Sequence, residues 1–195
     1  MNKLNNSIIV VSGLPRSGTS MMMQVLNAME IPVYTDNKRV PDQNNPRGYF
    51  EHKIVKNLKE DSSWLKLVKG KAVKIISHLL VYLPKNFHYK ILFLQRDMNE
   101  IIHSQNKMLM KNKMNIDSAN PELLKKIFQK NLIQIKNWEK DNPNAKILYL
   151  NYTDLLHTPD NELKKIQQFL DLEVAPLDLS HIISQDLYHS RNTQL

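Results

Sequence analysis

Residues 13–20 carry the strongest chemical signal in this chain: Gly13-Leu14-Pro15-Arg16-Ser17-Gly18-Thr19-Ser20. Two glycines frame an arginine, and three hydroxyls stand within four positions of one another. The buried-strand pattern Ile8-Ile9-Val10-Val11 precedes this segment, and a helical pattern follows it. Strand, glycine-framed turn and helix start, in that order, build a seat for an anion. Backbone N–H groups of the turn and the positive end of the helix dipole converge on one point. The glycines admit close backbone approach. Arg16, Ser17, Gly18, Thr19 and Ser20 are therefore the candidate phosphate-binding residues.

The loop departs from that of the nucleotide triphosphatases. Gly13 and Gly18 have the right separation, but Thr19 stands where the phosphate-reaching lysine belongs. Triphosphate chemistry with magnesium loses its key cation, and the positive charge lies inside the loop at Arg16 instead. A second basic position follows the strand pattern Ile91-Leu92-Phe93-Leu94-Gln95, where Arg96-Asp97 opens a helix that carries Ser104. Asp97 and Glu100 have capping-box spacing. An arginine at a strand end and a serine two turns into the next helix offer a second anion seat.

These elements resemble the sulfotransferases that use 3′-phosphoadenosine 5′-phosphosulfate (PAPS). Pro15-Arg16-Ser17-Gly18-Thr19-Ser20 is similar to the family's 5′-phosphosulfate loop, whose basic position is lysine in cytosolic members and arginine in tyrosylprotein and many bacterial members. Arg96 and Ser104 are similar to its 3′-phosphate element. Leu148-Tyr149-Leu150-Asn151-Tyr152-Thr153-Asp154-Leu155-Leu156 resembles the family's strand and Tyr-Glu-Asp-Leu segment, which places Tyr152 near the adenine. The small bacterial members are the nearest in pattern. The resemblance implies transfer of a sulfuryl group from PAPS to a hydroxyl or amine, with PAP as product and no metal. The acceptor would be a small molecule or a glycan or peptide hydroxyl. The family's C-terminal Arg-Lys-Gly segment is missing, and Arg191 is the residue left to supply its charge.

Two candidates for the general base follow from the same resemblance. Lys74-Ile75-Ile76-Ser77-His78-Leu79 is similar to the Lys-Thr-His-Leu segment of cytosolic members, although its lysine stands four residues before His78 rather than two. Lys74 would assist the leaving group. Asn45-Pro46-Arg47-Gly48-Tyr49-Phe50-Glu51 is similar to a segment of the bacterial members, with Glu51 as the base. Asp36 and Asp42 lie in the same loop. A small-molecule or nucleoside kinase and a non-catalytic nucleotide-binding protein are the competing readings.

The rest of the chain must position these groups. Its 195 residues, 42% hydrophobic and 24% charged, suit one globular domain over residues 1–195. The net charge of +8 is spread over lysines and favours anionic ligands, while no nucleic-acid module is recognisable. No apolar run approaches the length of a membrane helix. The absence of cysteine fits a reducing, cytoplasmic setting. Strand patterns at 7–12, 71–77, 90–95 and 145–151 alternate with helical patterns at 19–30, 97–109, 121–141 and 159–170. A further helix is expected from 51 to 59, continuing toward Trp64 and Leu67, and a long loop from 35 to 49. This alternation predicts a three-layer α/β/α fold of the P-loop NTPase-like type, with a central parallel sheet of four to five strands and ligands at the carboxyl ends of its strands.

Overall fold

The computed structural model describes residues 6–39, 48–111, 120–172, 179 and 182–183. Five strands form one sheet: β1 (Ser7–Gly13), β2 (Val33–Tyr34), β3 (Ala72–Lys74), β4 (His88–Gln95) and β5 (Ala145–Asn151). Their spatial order is β2-β3-β1-β4-β5, and every pairing is parallel. The parallel α/β sheet expected from the alternation of elements is present. β1 lies at its centre, which explains its unbroken apolar run: both faces of the strand are covered.

Alternate residues of β1 and β4 feed two separate cores. Ile9, Val11, Leu92 and Leu94 pack with α1 (Thr19–Ala28), α4 (Tyr152–His157) and α5 (Pro159–Leu170). Ile8, Val10, Ile91 and Phe93 face Trp64, Leu65, Leu80 and Ile135 on the opposite side. Ile135 belongs to α3 (Pro121–Lys140). The methionines of α1 fill the first core, with Met22 and Met23 fully buried. A third, small cluster joins Leu14 of the loop after β1 to Ile101 and Ile102 of α2 (Met98–Lys111) and Phe128 of α3. The chain thus leaves β1 toward one face of the sheet and leaves β4 toward the other. The crevice between those two strand ends is where an open parallel sheet binds ligands.

Several elements differ from the sequence reading. The expected helix over 51–59 and beyond is two 3-10 segments, Lys53–Asn57 and Ser63–Val68, separated by turns. Single turns suffice there because Val55, Leu58, Trp64, Leu65 and Val68 are buried at irregular spacing. The strand expected over 71–77 pairs only through Ala72–Lys74, and Ser77–Tyr82 is another 3-10 segment. Val33–Tyr34 pairs with β3 as an edge strand, and Tyr152 opens a short helix. On α3, Phe128 and Ile135 are buried while Ile127 is 51% exposed. Thr158 occupies the N-cap of α5 without a side-chain cap bond, its hydroxyl donating instead to the Asp154 carbonyl. Of the expected capping box, the Asp97 half forms, with Oδ1 accepting from the N–H groups of Asn99 and Glu100. The Glu100 carboxylate is used elsewhere, as described below. No described helix is long and apolar enough to cross a membrane.

Candidate active site

The phosphate loop turns sharply out of β1. Ser17 N–H donates to the Leu14 carbonyl at 3.2 Å, and Arg16 takes a left-handed backbone with φ of 67°. Gly18, at φ 97°, forms the N-cap of α1 without a side-chain cap. The first N–H groups of the helix therefore keep no intrahelical or side-chain partner. Glycine is required at position 18 for a second reason. A Cβ there would sit 2.5 Å from the Tyr152 ring. A Cβ at Gly13 would sit 2.4 Å from Ser17 Oγ. That Ser17 hydroxyl is fully buried and has no hydrogen-bond partner in the structure. Uncapped helix donors, a buried unsatisfied hydroxyl and a cradle that a side chain would fill are the features of an anion seat.

Arg96 and Ser104 stand beside this seat, tied to it rather than to each other. Arg96 Nη1 donates to the Arg16 carbonyl at 3.1 Å, and Arg96 Nε donates to Glu100 Oε2 at 2.8 Å. Ser104 Oγ accepts from Arg16 Nε at 3.0 Å. The Arg96 guanidinium lies over the Tyr152 ring, 4.6 Å from its centre, and its side chain is 8% exposed. Tyr152 is buried between Gly18 and Arg96; burial pushes its phenol pKa up. One ring thus supports both the phosphate loop and the second cation.

A third group of residues approaches from the opposite side. Lys74, the last residue of β3, points its ammonium at α1. Its Nζ donates to Ser20 Oγ at 3.1 Å, to the Tyr49 carbonyl at 3.0 Å and to Glu51 Oε1 at 3.2 Å. Burial pulls the Lys74 pKa down, opposed by the Glu51 carboxylate. Burial pushes Glu51 up, but Lys74 and Arg39 outweigh it and hold the carboxyl below its ordinary value. Arg39 Nη1 donates to both Glu51 oxygens, at 3.1 and 3.0 Å. Its guanidinium covers the Tyr49 ring at 3.3 Å.

The backbone that presents Glu51 is heavily fixed. Phe50, between Tyr49 and Glu51, is left-handed at φ 51°, a strained conformation for an aromatic residue. This reversal directs the Tyr49 carbonyl and the Glu51 carboxylate at the same lysine. The Glu51 carbonyl accepts from Thr35 Oγ1 and from Asp36 N–H. Asp36 in turn accepts from the N–H groups of Lys38 and Lys53, contacts that lower its pKa. His52 stacks on Tyr34 at 4.5 Å, and Tyr34 stacks on Trp64.

The phosphate loop, Arg39, Tyr49, Glu51, Lys74, Arg96, Ser104 and Tyr152 line one cavity of about 620 Å³, which also reaches Met21, Val55, Ile76, Leu79 and Met108. His78 lines it too, exposed on the segment Ser77–Tyr82; partial burial lowers its pKa. His78 makes no hydrogen bond or ion pair among the described residues. The structure therefore brings together Arg16, Ser17, Gly18, Thr19, Ser20, Glu51, Lys74, Arg96, Ser104 and Tyr152, with His78 on the same wall. Arg191 and Asp42 lie outside the described residues. No group of residues suited to hold a metal occurs among the described residues. Arg39 and the Tyr49 ring escaped the sequence reading, since a lone arginine in a polar loop carries no pattern.

Comparison with known proteins bears on the fold and the family. The chain is similar in fold to the sulfotransferase domain from the curacin biosynthetic pathway, at a TM-score of 0.51 and 16% identity, covering 95% of this chain and 78% of that one. It is also similar in fold to retinol dehydratase in complex with retinol and PAP, at a TM-score of 0.50 and 16% identity, covering 97% of this chain and 66% of that one. Among curated protein sequences none matches the chain. The family model for the sulfotransferase domain matches residues 6–190, nearly the whole length, and the chain belongs to that family.

Proposed function

We propose that this protein transfers a sulfuryl group from PAPS to an acceptor hydroxyl or amine, with Glu51 as general base and Lys74 as the link between base and donor. One observation carries the reading: Lys74 Nζ contacts Ser20 Oγ at the phosphate loop and Glu51 Oε1 at the cavity wall. A single side chain therefore spans the donor seat and the only carboxylate among the described residues that line the cavity. PAPS supplies an activated sulfuryl group on a phosphate leaving group.

The residues divide the work by position. Uncapped N–H groups of α1, Ser17, Thr19 and Ser20 with Arg16 receive the 5′ end of the nucleotide. Arg96 and Ser104 receive the 3′-phosphate, and Tyr152 braces both seats. Glu51 accepts the proton of the attacking oxygen or nitrogen as that atom bonds to sulfur. The bond from sulfur to the 5′-phosphate oxygen breaks in the same displacement. Lys74 and Arg16 offset the negative charge that grows on that oxygen. His78 is the weaker candidate for the base, because no described contact orients its ring and its neighbour Ser77 is engaged with Asn131 at 2.6 Å. The acceptor occupies the part of the cavity bounded by Val55, Ile76, Leu79 and Met108, whose apolar walls favour an acceptor with a hydrophobic body.

Incubation with ³⁵S-labelled PAPS and pooled hydroxyl acceptors tests the assignment. Label appears in an acceptor with the wild-type protein and not with Glu51→Gln. Equal transfer by Glu51→Gln, with loss of transfer in His78→Ala, assigns the base to His78 instead.

A further inference from the structure

Glu51 does not rest on Lys74 alone. Among the described residues, Oε1 accepts from Lys74 Nζ and from Arg39 Nη1, whereas Oε2 accepts only from Arg39 Nη1. The two cations come from different elements: Lys74 from β3, Arg39 from the loop after β2. Arg39 is held in turn by the buried Tyr49 ring beneath its guanidinium. The Tyr49 carbonyl also accepts from Lys74 and, at 3.4 Å, from Ser20 Oγ. Tyr49 thus fixes both cations relative to the phosphate loop, its carbonyl taking one and its ring face the other.

We propose that Arg39 is a positioning residue for Glu51, clamping both carboxylate oxygens opposite Lys74 and leaving Oε2 as the oxygen that takes the acceptor proton. The assignment rests on Glu51 being the base. A single Nη1 shared between two oxygens is a looser contact than a paired fork. It therefore orients the carboxylate without filling the second lone pair of Oε2. The clamp also sets the pH at which Glu51 works. The charged groups around it are Lys74 from β3, Arg39 and Asp36 from the loop after β2, Arg16 from the phosphate loop, and His52, Lys53 and Lys56 from its own segment. Asp36 is occupied by backbone donors, and His52 Nδ1 accepts from the Ile54 N–H. Arg39 is thus the cation whose removal changes the carboxylate most without touching the donor seat.

The test needs no identified acceptor. Carboxyl-¹³C glutamate is introduced into the full chain, the Glu51 signal is assigned by its loss in Glu51→Gln, and the signal is titrated by NMR. In parallel, sulfate release from PAPS is followed against pH, with water as the acceptor. Arg39→Gln is expected to raise the Glu51 midpoint by about one pH unit, the scale for losing a neighbouring opposite charge. The acid limb of sulfate release moves up with it, PAP affinity stays near wild type, and Arg39→Lys recovers most of the shift. A folded Arg39→Gln protein whose midpoint and acid limb both match wild type overturns the clamp. So does a uniform rate loss at every pH with the midpoint unmoved, the signature of a merely structural role. Failure of the wild-type protein to bind PAP rejects the donor reading and leaves the NMR titration to decide the clamp.

Discussion

At the scale of single residues, charge is placed in two tiers around one cavity. Arg16 and Arg96 line the cavity at the phosphate-loop end, and Lys74 and Arg39 hold the Glu51 carboxylate. Replacing Arg16 or Arg96 by alanine should cost about 2–5 kcal/mol of PAP affinity, the scale for truncating a buried charge-assisted contact; equilibrium titration reads this directly. Glu51→Gln should slow transfer about 10²–10⁴-fold, the usual contribution of a general base, while PAP still binds. The pH dependence follows from the sign of the Glu51 shift. Its carboxyl lies below the ordinary value of 4.5, so Glu51 is ionised throughout the neutral range. Transfer should hold from neutral pH down to below 4.5 and fall only as the carboxylate protonates. The same shift contributes stability that is complete above the unfolded value and is lost as the pH falls through the folded one. An acid limb lying above 4.5 but below the ordinary histidine value of 6.5, where burial holds His78, points to histidine instead.

At the scale of elements, the loops matter more than the strands they join. Gly18 has no room for a Cβ beside Tyr152, so Gly18→Ala must displace either the phosphate loop or α4. The expected result is loss of stability of about 1–3 kcal/mol, the range for a strained backbone position, together with weakened PAP binding. Chemical denaturation and titration of the same variant check both. The elements also show what the sequence could reveal. β1, α1, β4 and β5 were legible because each carries an unbroken or periodic apolar pattern. So was α3, whose Asn120 accepts from the N–H groups of Glu122 and Leu123 beside Pro121. The 3-10 segments were not legible: their apolar residues have helical spacing within one turn but not from one turn to the next, and only packing decides that the helix stops. The Arg39–Tyr49–Glu51 cluster was hidden for a related reason. Glu51 stood out by family resemblance, but its clamp joins loop residues twelve apart in sequence through a left-handed Phe50. A positive φ at an aromatic residue has no sequence signature.

At the scale of the whole molecule, the parallel sheet places the carboxyl ends of β3, β1 and β4 side by side. Lys74, the phosphate loop and Arg96 are therefore neighbours although they span more than eighty residues. The nucleotide should consequently cement the fold as well as occupy it. At about 100 times its Kd, PAP adds about 2.7 kcal/mol to stability, which raises the Tm of a domain of this size by about 5–10 °C. Thermal melts with and without PAP read that shift. The central claim is that a loop with Thr19 in place of the triphosphatase lysine is an intact seat for a 3′-phosphorylated donor. Calorimetric titration of one protein sample with PAP and with ATP–Mg²⁺ tests it most directly. PAP binding far more tightly than ATP–Mg²⁺, with the preference abolished in Arg96→Ala, is the predicted result. Tighter binding of ATP–Mg²⁺ would contradict it.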